Sequence, residues 1–184
     1  MTVVLIIILV LVVLAVVFVI ATYNGLISTR NRVENAWSQI DVQLKRRLDL
    51  IPNLVETVKG YAAHERQTLE AVVNARNQAI AAQGPQQEAQ ADNVLSGALR
   101  QLFALSEAYP DLKANQNFSE LQEELTATEG RVAYARQFYN DAVLKYNNKI
   151  QQFPGVLLAG PMKFSPREYF EAEEGAREVP KVQF

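Results

Sequence analysis

The single histidine of the chain is followed by a glutamate, the pair with which a helical zinc-protease motif begins. His64 and Glu65 would need a second histidine at position 68, where the chain has Thr68. The sequence contains no cysteine either, so a zinc site lacks ligands. The glutamate clusters at 120–124 and 171–174 have the spacing of solvated helix faces. We therefore expect no metal, no cofactor and no catalytic residue, and predict that the protein is not an enzyme.

Polar residues at apolar helical positions are the remaining candidates for a specific role. Arg47 takes a position that the helical period reserves for an apolar residue, Asp41 precedes it, and Asn53 follows it. An unpaired buried charge is costly, so Arg47 should pair with Glu129 or Glu124 on a facing helix, or extend to water. Such a charge commonly fixes the register of packed helices, and ligand binding is the alternative role.

The element that comes first in the chain is an apolar run. Residues 3–21 are nineteen positions without a charged or strongly polar side chain. At about 1.5 Å per residue they form a helix about as long as a bilayer's hydrocarbon core is thick. A cleaved signal peptide is the alternative, but the run lacks a basic start and a small-residue cleavage site. The sequence therefore predicts a retained transmembrane anchor at residues 1–23.

The charges beside the anchor predict its orientation. No lysine or arginine precedes the run, whereas Arg30, Arg32 and the basic residues 45–47 follow it. The positive-inside rule then leaves Met1 outside and the rest of the chain in the cytoplasm. We expect a single-pass protein of the cytoplasmic membrane, with lipid as a partner. The net charge of −2 and the absence of a concentrated basic segment argue against nucleic-acid binding.

Beyond the anchor, apolar residues recur with a helical period. The predicted helices cover residues 24–82, 88–108 and 117–153. Residues 154–184 contain several prolines and are predicted to form an extended tail. The predicted fold class is all-α: one N-terminal transmembrane helix continues into a cytoplasmic antiparallel bundle of long helices.

Two rows of apolar residues define how these helices should pack. Trp37 begins a row with sevenfold spacing that keeps its phase across Pro52, so we predict a kink there and not a helix end. Tyr139, Tyr146 and Phe153 belong to a similar row in the third helix. Rows of this kind form the buried seam of a bundle or coiled coil.

The tail also carries apolar residues. We expect Val156, Leu157, Phe164 and Phe170 to pack on the bundle, because an apolar tail in water would be unusual. The alternative is a contact surface for a partner subunit or for the inner leaflet. Phe184, the last residue, is a candidate interaction residue on the same reasoning.

Several segments carry a resemblance to a known family. They are 23–26 (YNGL), 36–44 (AWSQIDVQL), 45–55 (KRRLDLIPNLV), 61–65 (YAAHE), 109–115 (YPDLKAN) and 180–184 (PKVQF). On these segments the chain resembles the LemA family of bacterial membrane proteins. The resemblance implies a short outer N-terminus, one span, a cytoplasmic helical bundle and no established enzymatic activity. Members are often encoded beside membrane metalloproteases, and a similar domain occurs in a protein of the magnetosome membrane, where internal membranes are shaped.

Two functions remain open. The first and third predicted helices exceed the second in length, so residues near Trp37 and Tyr146 are expected to lack an intrachain cover. Neighbouring copies around the span would supply it, which predicts a homo-oligomer acting as a scaffold that organises or shapes the membrane. The alternative is an adaptor whose helix and tail surfaces bind a membrane protease or another envelope protein.

Overall fold

The computed structural model describes residues 1–170, and these form an all-α protein. The helices are α1 (Thr2–Lys59), α2 (Arg66–Ala81), α3 (Pro85–Ser106), α4 (Pro110–Lys113), α5 (Gln116–Gln151) and α6 (Gly155–Ala159). Helix α1 begins in the apolar run and extends without interruption into the part of the chain where helices pack together. The predicted fold class is therefore confirmed.

The prediction that the first helix reaches residue 82 is wrong. Helix α1 ends at Lys59, and α2 begins only at Arg66. Gly60 follows the end of α1, and the next two amides both donate to the carbonyl of Val58, at 3.0 and 2.8 Å. The apolar period resumes in α2, so periodicity alone concealed the break. Pro52, by contrast, lies inside α1, and the kink expected there stays a prediction.

Local sequence explains the other boundaries. Gly84 has a φ of 82°, a left-handed conformation that favours glycine, and Pro85 supplies the first residue of α3. The side chain of Asn115 caps α5, because its Oδ1 accepts the amide of Phe118 at 3.0 Å. The tail is not extended throughout, since residues Gly155–Ala159 form the short helix α6.

The chain divides into two compact units. The anchor unit comprises Met1–Ser38 and Phe138–Glu168, and the bundle unit comprises Gln39–Gln137 with Tyr169 and Phe170 among the described residues. Helices α1 and α5 each contribute to both units.

The bundle unit has a continuous apolar core. Helix α1 contributes Ile51, Leu54 and Val58, which are 0 % exposed, and α2 packs closely against α3. Other core residues include Val72, Leu95, Leu99, Leu102, Leu112, Phe118 and Leu125. Burial of these aliphatic and aromatic side chains is the main term that stabilises the unit.

The anchor unit is built on antiparallel α1 and α5. Trp37 of α1 lies against Tyr139 of α5, with ring centroids 5.3 Å apart. Towards the apolar run, Gly25 of α1 is paired with Lys149 of α5. Residue numbers therefore rise along one helix as they fall along the other, as the predicted antiparallel packing requires.

Candidate functional site

A cluster of buried charges lies between helices of the bundle unit. Arg47 of α1 is 2 % exposed, and its Nη1 donates to Oδ1 of Asp92 on α3 at 2.6 Å. Arg136 of α5 donates to the other carboxylate oxygen of Asp92. Glu129 is a further partner, with an oxygen 3.8 Å from Nη2 of Arg47. One carboxylate thus joins three helices through two arginines.

The prediction for Arg47 is confirmed in part. The residue is buried at a helix interface, and Glu129 is one of its carboxylate partners. Glu124 is not: it pairs instead with Arg46, at 2.7 Å, and with Arg131, at 3.2 Å. Its main partner, Asp92, was not predicted. This geometry suits a role in fixing the register of the helices, because sliding one helix along another would separate Arg47 or Arg136 from Asp92.

A second polar contact compensates for the proline in α1. A proline inside a helix has no amide hydrogen and frees the carbonyl four residues earlier. For Pro52 that carbonyl belongs to Leu48, and it accepts a hydrogen bond from Nε of Arg76 on α2 at 3.0 Å. Helix α2 thus supplies the donor that α1 lacks. Asn53, the neighbouring predicted site residue, has an exposed side chain.

An open cleft of about 290 Å³ adjoins the charge cluster. Charged residues of both signs line it, and they are Asp41, Lys45, Asp49, Arg76, Glu88 and Asp92. Burial raises the pKa of Glu88 above its ordinary value; a hydrogen bond from the backbone of Gly84 opposes this rise, and the charge of Asp41 adds to it. The predicted site residue Asp41 therefore acts on a carboxyl group that the sequence analysis did not single out.

The cleft has no constellation that identifies a reaction. Among residues 1–170, no three histidine, aspartate or glutamate side chains are grouped as a metal ion would require. The single histidine, His64, lies in the turn before α2 with its side chain exposed. The bundle unit therefore offers structural charge pairs and a mixed-charge cleft.

In the anchor unit, neutral hydrogen bonds hold the segment that follows α6. Tyr146 donates its hydroxyl to the carbonyl of Ser165 at 3.0 Å, and Tyr139 donates to that of Glu168 at 2.9 Å. Asn147 binds both backbone groups of Arg167, each at 2.9 Å. We call residues 160–168 the strap. Burial raises the pKa of Tyr146, which keeps its hydroxyl protonated as a donor.

The strap corrects the expectation of an uncovered helix pair at Tyr139 and Tyr146, whereas Trp37 is half-buried. Tyr146 is 1 % exposed and Tyr139 is 3 % exposed within a single chain. Phe164 of the strap is also buried, and it lies against Tyr23 with ring centroids 6.0 Å apart and under the guanidinium of Arg30. Neighbouring copies are therefore not needed to cover these aromatic side chains.

The predicted tail packing holds for only half of its residues. Phe164 and Phe170 are buried, at 8 and 2 % exposure, whereas Val156 and Leu157 are exposed, at 41 and 55 %. The expectation that Phe153 belongs to the buried row of α5 is wrong, because the residue lies beyond the helix end and is 78 % exposed. Phe184 lies outside the described residues.

A contact at the end of the apolar run connects it to α5. The ammonium group of Lys149 donates to the carbonyl of Gly25 at 2.8 Å. A β-carbon at position 25 would lie 2.8 Å from that nitrogen, so the lysine reaches the backbone because the residue is glycine. Sequence reasoning missed this pair, and the only signal for it was a glycine inside a helix.

An all-α fold whose N-terminal helix is apolar enough to cross a bilayer defines a class of membrane-associated helical proteins. In the part of the chain that the structure describes, one helix meets that criterion of length and composition. The family model described as the LemA family matches residues 36–184. The chain belongs to the LemA family.

Relatives of known name agree with this assignment. Magnetosome protein MamQ 2 of Paramagnetospirillum magneticum is 28% identical over 186 residues, which cover 87% of this chain and 68% of the relative. Protein LemA of Metamycoplasma hominis is 26% identical over 155 residues, covering 82% and 69%. Magnetosome protein MamQ of Magnetospirillum gryphiswaldense is 26% identical, covering 87% and 68%.

Proposed function

We propose that this protein is a non-enzymatic scaffold that self-assembles at the inner face of the bacterial cytoplasmic membrane and organises or shapes that membrane. The observation that carries the proposal is the continuous helix that connects the apolar run to the helix pair of the anchor unit. Helix α1 leaves the run without a break, and Lys149 fixes it to α5 one turn later. A protein that imposes shape on a bilayer needs such a connection, whereas a tethered enzyme or adaptor does not.

The polar groups of the bundle unit support a structural role. Arg47 and Arg136 each donate a charge-assisted hydrogen bond to Asp92, and Arg76 donates to a backbone carbonyl. Buried ion pairs of this kind can fix the positions of the helices that carry them. Two relatives bear the name magnetosome protein, and by analogy with them we assign this chain a role on a membrane.

Self-assembly is the second part of the proposal. Tyr139 and Tyr146 are already covered within one chain, so an interface between copies must use other residues. Leu144, on the outward face of α5, is 48 % exposed and is available for such a contact. Copies confined to one membrane plane also meet at a high effective concentration, which favours symmetric oligomers.

The test is to separate the anchor from the helix pair without removing either. A Gly-Gly-Ser insertion between Ala21 and Thr22 breaks the continuity of α1, and the same insertion after Gln83, in the turn before α3, is the matched control. Each full-length protein is reconstituted into liposomes, which are imaged by electron cryomicroscopy, and its oligomer mass is measured by native mass spectrometry. We expect the wild type and the control to be oligomeric and to deform the vesicles. The first insertion should leave the vesicles undeformed.

Other outcomes of this experiment would overturn the proposal. A monomeric wild type that leaves vesicles round contradicts the scaffold. Capture of a membrane protease by that monomer would favour the adaptor. Equal vesicle deformation by both insertions would show that the rigid connection is irrelevant to the shape change.

A further inference from the structure

Large apolar side chains are exposed where α5 ends and α6 begins. Phe153 is 78 % exposed, Leu157 is 55 % exposed and Val156 is 41 % exposed. All three belong to the anchor unit. We call residues 153–157 the corner. Apolar side chains grouped in this way commonly mark a contact surface.

The corner lies beside the point where the apolar run ends. A depression of about 380 Å³ is lined by Phe153, Pro154 and Gly155 on one side and by Ala21, Thr22 and Gly25 on the other. Ala21 is the last residue of the apolar run. At about 1.5 Å per helical residue, Gly25 is only about 6 Å further along the axis, which is within the headgroup layer if the run fills the hydrocarbon core.

Packing holds the corner at this level. A β-carbon on Gly155 would clash with the carbonyl oxygen of Lys149 and would lie 3.3 Å from the side chain of Leu26. The backbone of the corner is thus in close contact with both α5 and α1. Its apolar side chains cannot turn inward without displacing that contact.

Basic side chains complete the surface. Lys145 and Lys149 line the same depression, and Lys145 is exposed. An apolar aromatic tip next to lysines is the composition found at the boundary between acyl chains and phosphate-bearing headgroups, where a positive charge near the anionic surface is favoured.

From this continuity we propose that the corner is a second membrane contact. Phe153 and Leu157 insert into the interface of the leaflet at the C-terminal end of the run, and Lys145 lies among the phosphates. The occupant of the depression is a phospholipid. The inference rests on the membrane anchoring in the proposed function but not on self-assembly.

Tryptophan fluorescence tests this contact in two sets of vesicles, one with lipids brominated near the headgroup end of the acyl chains and one with lipids brominated near the methyl end. The first set reports on the corner and the second on the middle of the apolar run. The variants are Phe153→Trp and, independently, Leu157→Trp, both at exposed positions that need no repacking. Tyr134→Trp, at an exposed position of α5, is the matched control, and Leu14→Trp in the middle of the apolar run reports anchoring through the bromines near the methyl end. The emission of Trp37 in the wild-type protein is the background against which the added quenching is measured. We expect strong added quenching in both corner variants and in Leu14→Trp, with none in the α5 control.

The controls separate the ways in which the result could fail. If Leu14→Trp is quenched but both corner variants are not, the corner does not contact lipid and the inference is overturned, while the anchor stands. Blue-shifted but unquenched corner emission would mean that protein covers the corner, and this outcome also overturns the inference. If Leu14→Trp itself escapes quenching, the proposed anchoring fails, and the corner contact fails with it. A monomeric protein with quenched corner variants would contradict self-assembly alone.

Discussion

The anchor unit and the bundle unit satisfy their buried polar groups in different ways. In the anchor unit, neutral Tyr146 and Asn147 bind the backbone of the strap. In the bundle unit, Arg47 and Asp92 place opposite charges between helices. Water can replace a neutral bond to an exposed segment, whereas a buried ion that loses its partner stays unpaired. We therefore expect the bundle unit to tolerate substitution at its polar positions less well.

The largest effect is expected from Asp92→Leu. The change leaves Arg47 and Arg136 close together without the carboxylate that separates them, and breaking a buried pair costs about 3–5 kcal/mol. Chemical unfolding of the full-length protein in detergent measures the loss. The double variant Arg47→Met/Asp92→Leu should regain part of it, because one of the unpaired charges is removed as well.

Arg46→Met is the matched control for that experiment. Arg46 precedes Arg47, but its side chain is 54 % exposed and its partner Glu124 also binds Arg131. A change of less than about 1 kcal/mol is expected from an exposed pair. Equal losses for Asp92→Leu and Arg46→Met would contradict the structural importance of the buried cluster.

In the anchor unit, Asn147→Ala removes the two hydrogen bonds to Arg167. Each bond contributes about 0.5–1.5 kcal/mol, so a loss of about 1–3 kcal/mol is expected. The effect should be local, and hydrogen exchange at the amide of Arg167 measures it. Asn148→Ala, at the exposed neighbouring position, should leave that exchange rate unchanged. A loss as large as that of Asp92→Leu would remove the contrast between the units.

A smaller effect should appear where α2 compensates for the proline of α1. Arg76→Met leaves the carbonyl of Leu48 without its donor, whereas Pro52→Ala restores an amide that can bind it. The two changes should therefore couple, and Arg76→Met should cost about 1 kcal/mol less in the Pro52→Ala background. A double-mutant cycle of unfolding free energies measures this difference. Strict additivity would show that Arg76 does not compensate for Pro52.

The smallest expected effect concerns the pH dependence of the cleft. A carboxyl group whose pKa is raised in the folded state binds its proton more tightly there than in the unfolded chain. The stability it contributes is present at low pH and is lost as the pH rises above the ordinary value of 4.5. As the pH rises above that value, the free energy of unfolding of the wild type should therefore fall relative to that of Glu88→Gln. Introducing Asp41→Asn should weaken the dependence, and a pH-independent difference would contradict the burial of Glu88.

Periodicity predicted the helices well where packing is regular. It placed Leu44, Ile51 and Val58, which follow Trp37 at sevenfold spacing, on the buried face of α1, and it predicted that Arg47 replaces an apolar residue there. It failed at residues 60–65, because apolar spacing continued across a break that short-range hydrogen bonds at Gly60 impose. The prediction that the helix does not end at Pro52 is confirmed, because the proline lies inside α1.

Contacts between elements were predicted less well. Asp92 is Arg47's main partner, but no local pattern distinguishes it from other acidic residues of a helix whose register depends on packing. The bonds from Tyr146 and Asn147 end on backbone atoms of the strap, and backbone partners have no sequence signature. For this reason the sequence predicted that Tyr146 lacks a cover within the chain, whereas the strap covers it.

The claim on which the account depends is that the anchor and its helix pair form one rigid body. The chain has no cysteine, so spin labels can be placed at Val19→Cys and Asn148→Cys without further changes. Double electron–electron resonance then measures the distance between them in lipid nanodiscs, with labelled protein diluted in unlabelled protein. We predict a single narrow distribution that broadens when Gly-Gly-Ser is inserted between Ala21 and Thr22. A broad distribution in the protein without the insertion would contradict the account.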